Sequence, residues 1–196
     1  MKKILLLILP IAATLSLTCC GGKGQGTAED RFELQLDTLP EDSLDLQYAT
    51  ELLPAGSVAP DMTLPALSGN TLHLSDLRGR WVVLDFWASW CPDCRADIPT
   101  ILRLYETYST QGIAFVGVSF DDDAEAWKAA VEKYALPYPQ VSELRRMRDS
   151  ETAKAFGIRW IPSLYLIDPE GRVALGTVLS SRMERALKQL SITNKQ

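Results

Sequence analysis

Residues 81–94 are WVVLDFWASWCPDC, and this stretch decides the fold of the chain. Trp81 to Trp87 is too uniformly apolar for a half-exposed strand, so we predict a central β-strand that is buried on both faces. A helix is predicted to follow from Pro92 to about Thr110, because proline suits the first helical position. Two cysteines that flank two residues at such a strand-to-helix junction are able to close a small disulfide ring.

Cys91 and Cys94 predict thiol–disulfide exchange. We expect Cys91 at the exposed N-terminal end of the helix, where free backbone N–H groups and the helix dipole favour a thiolate. Cys91 is therefore the expected nucleophile. Cys94, one turn inside the helix, is the expected resolving thiol that releases a mixed disulfide. We expect no cofactor beyond a redox-active Cys91–Cys94 disulfide.

Two acidic residues are candidates to adjust this chemistry. Asp85 lies on the predicted buried strand and is the candidate proton acceptor for Cys94. Burial should raise the pKa of Asp85 and suit it to proton transfer near neutral pH, although a hydrogen-bonded structural acid is the alternative. Asp93 is an anionic neighbour of the Cys91 thiolate and should disfavour it, so we predict a comparatively reducing couple.

The rest of the chain predicts a mixed α/β sheet covered by helices. A β-hairpin is expected around Ser68-Gly69-Asn70, and Ile113 to Ser119 is a second buried strand in which Gly117 allows close approach. Further elements are predicted as a helix capped by Asp121 to Asp123, a short helix over Met147 to Phe156, a hairpin of Ser163 to Ile167 with Arg172 to Val178, and a helix over Ser181 to Leu190.

From about Ala59 to Leu190 the chain resembles the thioredoxin family, in particular its exported, membrane-tethered TlpA-like branch and the AhpC/TSA-like redoxins. The resemblance is carried by Asp85 to Cys91, by Pro99 and by the Trp160-Ile161-Pro162-Ser163 loop. It implies a thioredoxin-like fold with an N-terminal β-hairpin and a helical insertion between residues 121 and 150. The implied activity is that of a thiol-disulfide oxidoreductase, with a role in cytochrome c maturation or thiol homeostasis.

The resemblance also implies a substrate-binding surface. Pro162 is expected to be cis and, with Ile161, to bind an extended partner segment opposite the cysteines. Pro92 and Trp90 are expected beside the reacting sulfur. Trp90 and Trp160 either flank the cysteines as an apolar platform or belong to the core. The Pro92-Asp93 dipeptide departs from the Gly-Pro of ordinary thioredoxins.

Residues 1–19 have the features of a signal peptide: a basic start at Lys2-Lys3 and an apolar stretch too short for a transmembrane helix. An uncleaved anchor is the alternative. Leu17-Thr18-Cys19-Cys20 resembles a bacterial lipobox, with Cys20 (or Cys19) as the lipidated residue. This implies a periplasm-facing lipoprotein of the bacterial cell envelope, attached to the membrane by its N-terminal lipid.

The chain therefore divides into a signal peptide (1–19), a tether with an acidic extension (20–58) and a thioredoxin-like domain (59–192). The role of the extension is left open, although its leucines are candidates to pack on the domain. Net charge is −5 and no basic stripe is present, which argues against nucleic acid as a partner. The expected partners are protein thiols or disulfides and a membrane electron donor.

The sequence fits three other functions less well. The peroxiredoxin family is typified by a Thr-x-x-Cys site, whereas in this chain Ala88 stands three positions before Cys91. Structural zinc generally needs four Cys or His ligands, whereas beyond residue 20 the chain offers only Cys91, Cys94 and His73, so no metal site is predicted. A redox-inert binding module would not need both cysteines together with Asp85 and Pro162.

Overall fold

The structure, a computed structural model, describes residues 42–193 together with Leu34 and Leu36. The predicted signal peptide, Cys19, Cys20 and the glycine-rich tether lie outside the described residues. The described helices are α1 (Ser43–Tyr48), α2 (Pro92–Tyr108), α3 (Ala124–Lys133), α4 (Glu151–Ala155) and α5 (Ser180–Thr193). The described strands are β1 (Thr63–Pro65), β2 (Thr71–His73), β3 (Val82–Trp87), β4 (Ala114–Ser119), β5 (Gln140–Ser142), β6 (Ser163–Ile167) and β7 (Val173–Thr177).

The apolar strand β3 lies at the centre of a mixed five-stranded sheet. The strand order is β5-β4-β3-β6-β7, and all six residues of β3 are buried. β3 pairs in parallel with β4 and antiparallel with β6. This confirms the predicted central strand and the mixed sheet flanked by helices.

A separate β-hairpin precedes the sheet, as predicted. β1 and β2 pair antiparallel, with Thr63 opposite His73 and Pro65 opposite Thr71. A short 3₁₀ helix, Leu74–Leu77, then leads towards β3. An isolated bridge between Ala66 and Val141 connects the end of the hairpin with β5.

Strand β5 forms an edge of the sheet that the sequence pattern did not predict. The side chain of Gln140 is buried and accepts a hydrogen bond of 3.0 Å from the Trp87 indole nitrogen. Gly117 makes room for it, because a Cβ at that position would lie 2.2 Å from Gln140 Oε1. A three-residue strand with polar ends carries no hydrophobic periodicity, so only these tertiary contacts specify it.

Acidic side chains, rather than leucines, hold α1 of the N-terminal extension. Leu44 and Leu46 are 47% and 72% exposed, whereas Asp42 and Asp45 are buried. Asp45 accepts hydrogen bonds from the Thr177 hydroxyl at 2.7 and 2.8 Å, from the Val178 N–H at 2.7 Å and from Arg182 at 2.6 Å. Asp42 forms an ion pair of 2.6 Å with Arg185. These polar contacts therefore attach α1 to the end of β7 and to α5.

Candidate active site

The junction between β3 and α2 places the two cysteines. β3 ends at Trp87, α2 begins at Pro92, and Cys91 is the N-cap residue of α2. Cys91 and Cys94 are joined by a disulfide with a Cα–Cα distance of 5.3 Å. The Cys94 N–H lies 3.1 Å from Cys91 Sγ and donates to it. A sulfur at this position receives both a backbone hydrogen bond and the positive end of the helix dipole.

The expectation that Cys91 is exposed is wrong. Cys91 is only 4% exposed and Cys94 only 3%. The loop before β6 covers the sulfur, because the carbonyl oxygen of Ile161 lies 3.6 Å from Cys91 Sγ. A helix N-terminus is exposed by default, and the long-range packing of this loop is what changes the accessibility of Cys91.

The covering loop contains the one cis peptide bond among the described residues, between Ile161 and Pro162. The cis form agrees with the expectation from the family resemblance. The Ser163 hydroxyl donates a hydrogen bond of 2.7 Å to the Trp160 carbonyl and closes the turn. Ile161 is buried, and its carbonyl oxygen faces Cys91 Sγ.

Neither tryptophan beside the site belongs to the core. Trp90 is 51% exposed, and Trp160 is 38% exposed. The Trp160 ring stacks on Tyr48 of α1 with a centroid distance of 4.3 Å. Of the two arrangements considered from sequence, the structure therefore has both tryptophans on the surface around the disulfide.

Asp85 is buried on β3 and has a perturbed titration. Burial raises the pKa of Asp85 from its ordinary 3.8 to about 7, and the negative charge of Asp97 adds to the rise. A hydrogen bond from the Tyr138 hydroxyl to Asp85 Oδ2, 3.1 Å long, opposes it. Desolvation also raises the pKa of Tyr138 itself, so the phenol stays protonated as the donor. The direction and the cause of the Asp85 shift agree with the sequence prediction.

Asp97 is an acidic residue of the site that the sequence analysis did not single out. It lies on α2, half-buried, and its carboxylate accepts a hydrogen bond of 2.6 Å from the Ser180 hydroxyl. Burial raises the pKa of Asp97. The spacing of three residues from Cys94 was a usable signal, because residues three apart lie on the same helical face.

Pro92 and Asp93 are exposed in the first turn of α2. Arg95, the first cation after the cysteines, donates a hydrogen bond of 2.9 Å from Nη1 to the Ser89 carbonyl. The loop before Cys91 is held from the other side, because buried Asp121 accepts hydrogen bonds from the Ser89 hydroxyl at 2.6 Å and from the Ser89 N–H at 3.0 Å. Asp121 thus positions this loop, and only Asp123 caps α3.

Two clefts open beside the disulfide. The first, here called the α1 cleft, has a volume of about 490 Å³ and is lined by Asp93, Asp97, Pro162, Trp160 and residues of α1 and α5. The second, about 400 Å³, is lined by Trp90, Asp122, Arg146, Met147 and Arg148. Among residues 42–193 and the two described leucines, no three His, Cys, Asp or Glu side chains are grouped to hold a metal ion. No helix in this part of the chain has the length and hydrophobicity to cross a bilayer.

Comparison with known proteins gives one family and a consistent set of relatives. The sequence model of the AhpC/TSA family matches residues 55–175. Thiol-disulfide oxidoreductase ResA of Geobacillus kaustophilus is 32% identical over 138 residues, which is 69% of this chain and 77% of that protein. The protein of the same name from Bacillus subtilis is 31% identical over 123 residues, covering 63% of this chain and 66% of that protein.

Solved structures agree with this set. A thiol-disulfide oxidoreductase from Bacteroides fragilis superposes with a TM-score of 0.64 at 33% identity, covering 68% of this chain and 99% of that one. The thioredoxin domain of a thiol-disulfide oxidoreductase from Bacteroides vulgatus gives a TM-score of 0.64 at 31% identity, covering 70% and 98% of the two chains. The fold is therefore thioredoxin-like, and the relatives share one activity by name.

Proposed function

The chain belongs to the AhpC/TSA family and is a thiol-disulfide oxidoreductase, and from this premise we propose that it acts mainly as a disulfide reductase. The observation that carries the direction is the acidic character of the side of the disulfide that faces the α1 cleft. Asp93 stands between the cysteines and Asp97 follows one turn later, and among the described residues no Lys or Arg lines the α1 cleft. Anionic neighbours disfavour the Cys91 thiolate and hence the reduced form, which makes the dithiol a stronger reductant.

In the reductive cycle, the Cys91 thiolate attacks one sulfur of a partner disulfide. The partner S–S bond breaks, one partner thiolate leaves, and a mixed disulfide forms at Cys91. Asp85 takes the proton of the Cys94 thiol, and the Cys94 thiolate attacks Cys91 Sγ. The Cys91–Cys94 disulfide forms and the second partner thiol is released, so that two electrons pass to the partner. A pKa of about 7 leaves Asp85 able to accept and return a proton near neutral pH.

The partner is bound by the surface around the covered sulfur. Ile161 and the cis Pro162 present a backbone next to Cys91, to which an extended protein segment is able to pair. Exposed Trp90 and Pro92 form the apolar border on the other side. No other cofactor takes part, because the electrons are carried by the disulfide itself.

We place this activity in the bacterial cell envelope, on a periplasm-facing lipoprotein attached through Cys20 (or Cys19). The support is the lipobox-like sequence and the exchange chemistry, since disulfides persist in oxidising compartments. Each cycle leaves the pair oxidised, so an electron donor is required, and we propose a membrane reductase. Client proteins in cytochrome c maturation or in thiol homeostasis fit this scheme.

A peroxidase remains the alternative enzyme within this fold, and the site does not favour it. Ala88, at the position where a peroxidase of the Thr-x-x-Cys type has a hydroxyl, is fully buried and has none to offer a peroxide. A redox-inert binding module is equally disfavoured, because both cysteines, the buried acid and the cis proline are all in place.

The test is the reduction potential of the Cys91–Cys94 pair, measured by equilibrating the protein with defined thiol–disulfide buffers. A reductase is expected to give a value near that of thioredoxin, about −270 mV, whereas a folding oxidant lies near about −120 mV. A value near the second would overturn the proposed direction and leave the exchange activity standing.

Asp93→His is the variant that tests the electrostatic cause. Replacing an anion by a potential cation should stabilise the thiolate and make the couple more oxidising, by roughly 30 mV for each 1.4 kcal/mol of added stabilisation. Glu125→His, in the first turn of α3, is a matched control for the charge change on another helix. Equal potentials in wild type and Asp93→His would refute the role of Asp93 in tuning the couple.

A further inference from the structure

The N-terminal extension supplies one wall of the cleft next to the disulfide. We propose that α1 is a specificity element: the α1 cleft receives an extended segment of the partner protein that carries a basic and an apolar residue beside its reacting cysteine. This inference rests on the proposed exchange reaction at Cys91. The inference specifies the side chains that the partner must carry next to its cysteine. It also assigns a role to part of residues 20–58, which the sequence alone left open.

The wall is preorganised. Leu44 and Tyr48 of α1 line the cleft, and the Tyr48 ring is fixed by stacking on Trp160 at 4.3 Å. The buried carboxylates of Asp42 and Asp45 fix the helix through Arg185 and Arg182. Leu44 nevertheless keeps 47% of its surface exposed, so its apolar side chain is available to a ligand. A rigid apolar wall binds without the entropy cost of ordering it first.

The charge in the cleft has one sign. Asp93 and Asp97 line it, and within residues 42–193 no Lys or Arg is among its lining residues. A positively charged side chain on the partner is therefore attracted, and an acidic one is repelled, with a strength that falls as salt is added. This charge is the feature that selects a basic residue over other polar ones.

The cleft is within reach of the reacting sulfur. Pro162 lines it, and the preceding residue, Ile161, has its carbonyl oxygen 3.6 Å from Cys91 Sγ. An extended segment advances about 3.3 Å per residue and turns alternate side chains to opposite sides. Side chains within a few positions of the partner cysteine are thus able to enter the α1 cleft.

The experiment uses the reduced full-length chain with Cys19 and Cys20 replaced by serine, so that Cys91 and Cys94 are its only thiols. Its substrates are cysteine peptides carried as mixed disulfides with 2-nitro-5-thiobenzoate, whose release is followed by absorbance. Three peptides are compared, with the cysteine flanked by Lys and Leu, by Glu and Leu, or by Lys and Ser. Leu44→Ser tests the wall. Leu46→Ser is the matched control, because Leu46 lies on the same helix but lines a different cleft. Reduction of the small neutral 2-hydroxyethyl disulfide reports the basal activity of every variant.

We expect the wild type to reduce the Lys-Leu peptide roughly tenfold faster than the Glu-Leu peptide at low salt, with the gap closing at high salt. Leu44→Ser should slow the Lys-Leu peptide about fivefold and leave the Lys-Ser peptide unchanged, since only an apolar contact is lost. Leu46→Ser should match the wild type with all three peptides. Neither variant should change the reduction of 2-hydroxyethyl disulfide.

Two different failures are distinguishable. If the Lys and Glu peptides react equally, or if Leu44→Ser and Leu46→Ser behave alike, the inference about α1 is overturned while peptide reduction still supports the proposed function. If the wild type reduces neither the peptides nor 2-hydroxyethyl disulfide, the proposed function fails and the inference fails with it.

Discussion

At the scale of single residues, the carboxyl group of Asp85 is kept in surroundings that favour its uncharged form. Removal from water on β3 raises its pKa to about 7, against 3.8 ordinarily. Between about pH 3.8 and about pH 7 the folded protein therefore holds a proton that the unfolded chain has released. The contribution of Asp85 to stability is complete below this window and is lost as the pH rises through it. A shift of this size corresponds to on the order of 4 kcal/mol.

Asp85→Asn removes this titration. We expect the oxidised variant to be more stable than the wild type at pH 8, with the difference shrinking towards pH 4, as measured by urea unfolding across that range. The same variant should slow the release of a mixed-disulfide partner by about 10²-fold, because the acceptor for the Cys94 proton is gone. An unchanged pH slope of stability in the variant would show that another group is responsible.

At the scale of elements, α1 is attached by charges that are withdrawn from water. Asp45 is buried and accepts hydrogen bonds from three donors, whereas the neighbouring pair of Glu51 and Arg159 is exposed on both sides. A buried carboxylate satisfied in this way leaves several donors unpaired when it is removed, and an exposed ion pair leaves none. Loss of the Asp45 side chain should therefore lower the free energy of unfolding more than loss of the Glu51 side chain.

Asp45→Ala should lower the free energy of unfolding by about 3 kcal/mol, and Glu51→Ala by less than about 1 kcal/mol. Urea unfolding of both variants at neutral pH provides the comparison. Equal effects of the two substitutions would mean that the contacts of Asp45 contribute little to the attachment of α1.

The same scale shows what the sequence could and could not predict. The apolar run of β3 and the turn residues of the hairpins are local signals, and the structure confirms them. The partners of Asp42 and Asp45 lie more than 130 residues away, so no local pattern indicated that acids would hold α1. In the site, Cys91, Cys94 and Pro162 belong to recognisable motifs. The contact of Tyr138 with Asp85 and the covering of Cys91 depend on packing between distant segments.

At the scale of the whole molecule, the proposal of a lipid-anchored enzyme rests on Cys20, which lies outside the described residues. Cys20→Ser should move the protein from the membrane fraction to the soluble fraction of the envelope, because a single lipidated residue would be lost. Cys19→Ser is the paired control and should leave it in the membrane fraction. Release by Cys19→Ser alone would shift the lipidated position by one residue, and retention of a variant that lacks both cysteines would show that a lipid on either is not needed for attachment.

The attachment of α1 also has a meaning for how such proteins diversify. Leu44 and Tyr48 come before residue 55, where the match to the AhpC/TSA family begins, and α1 is fastened mainly by the side chains of Asp42, Asp45 and Tyr48. The cleft wall and the electron-transfer machinery therefore occupy separate stretches of the gene. Recombination upstream of codon 55 can therefore replace α1, and with it the cleft wall of Leu44 and Tyr48. The cysteines, Asp85 and the sheet are then inherited unchanged.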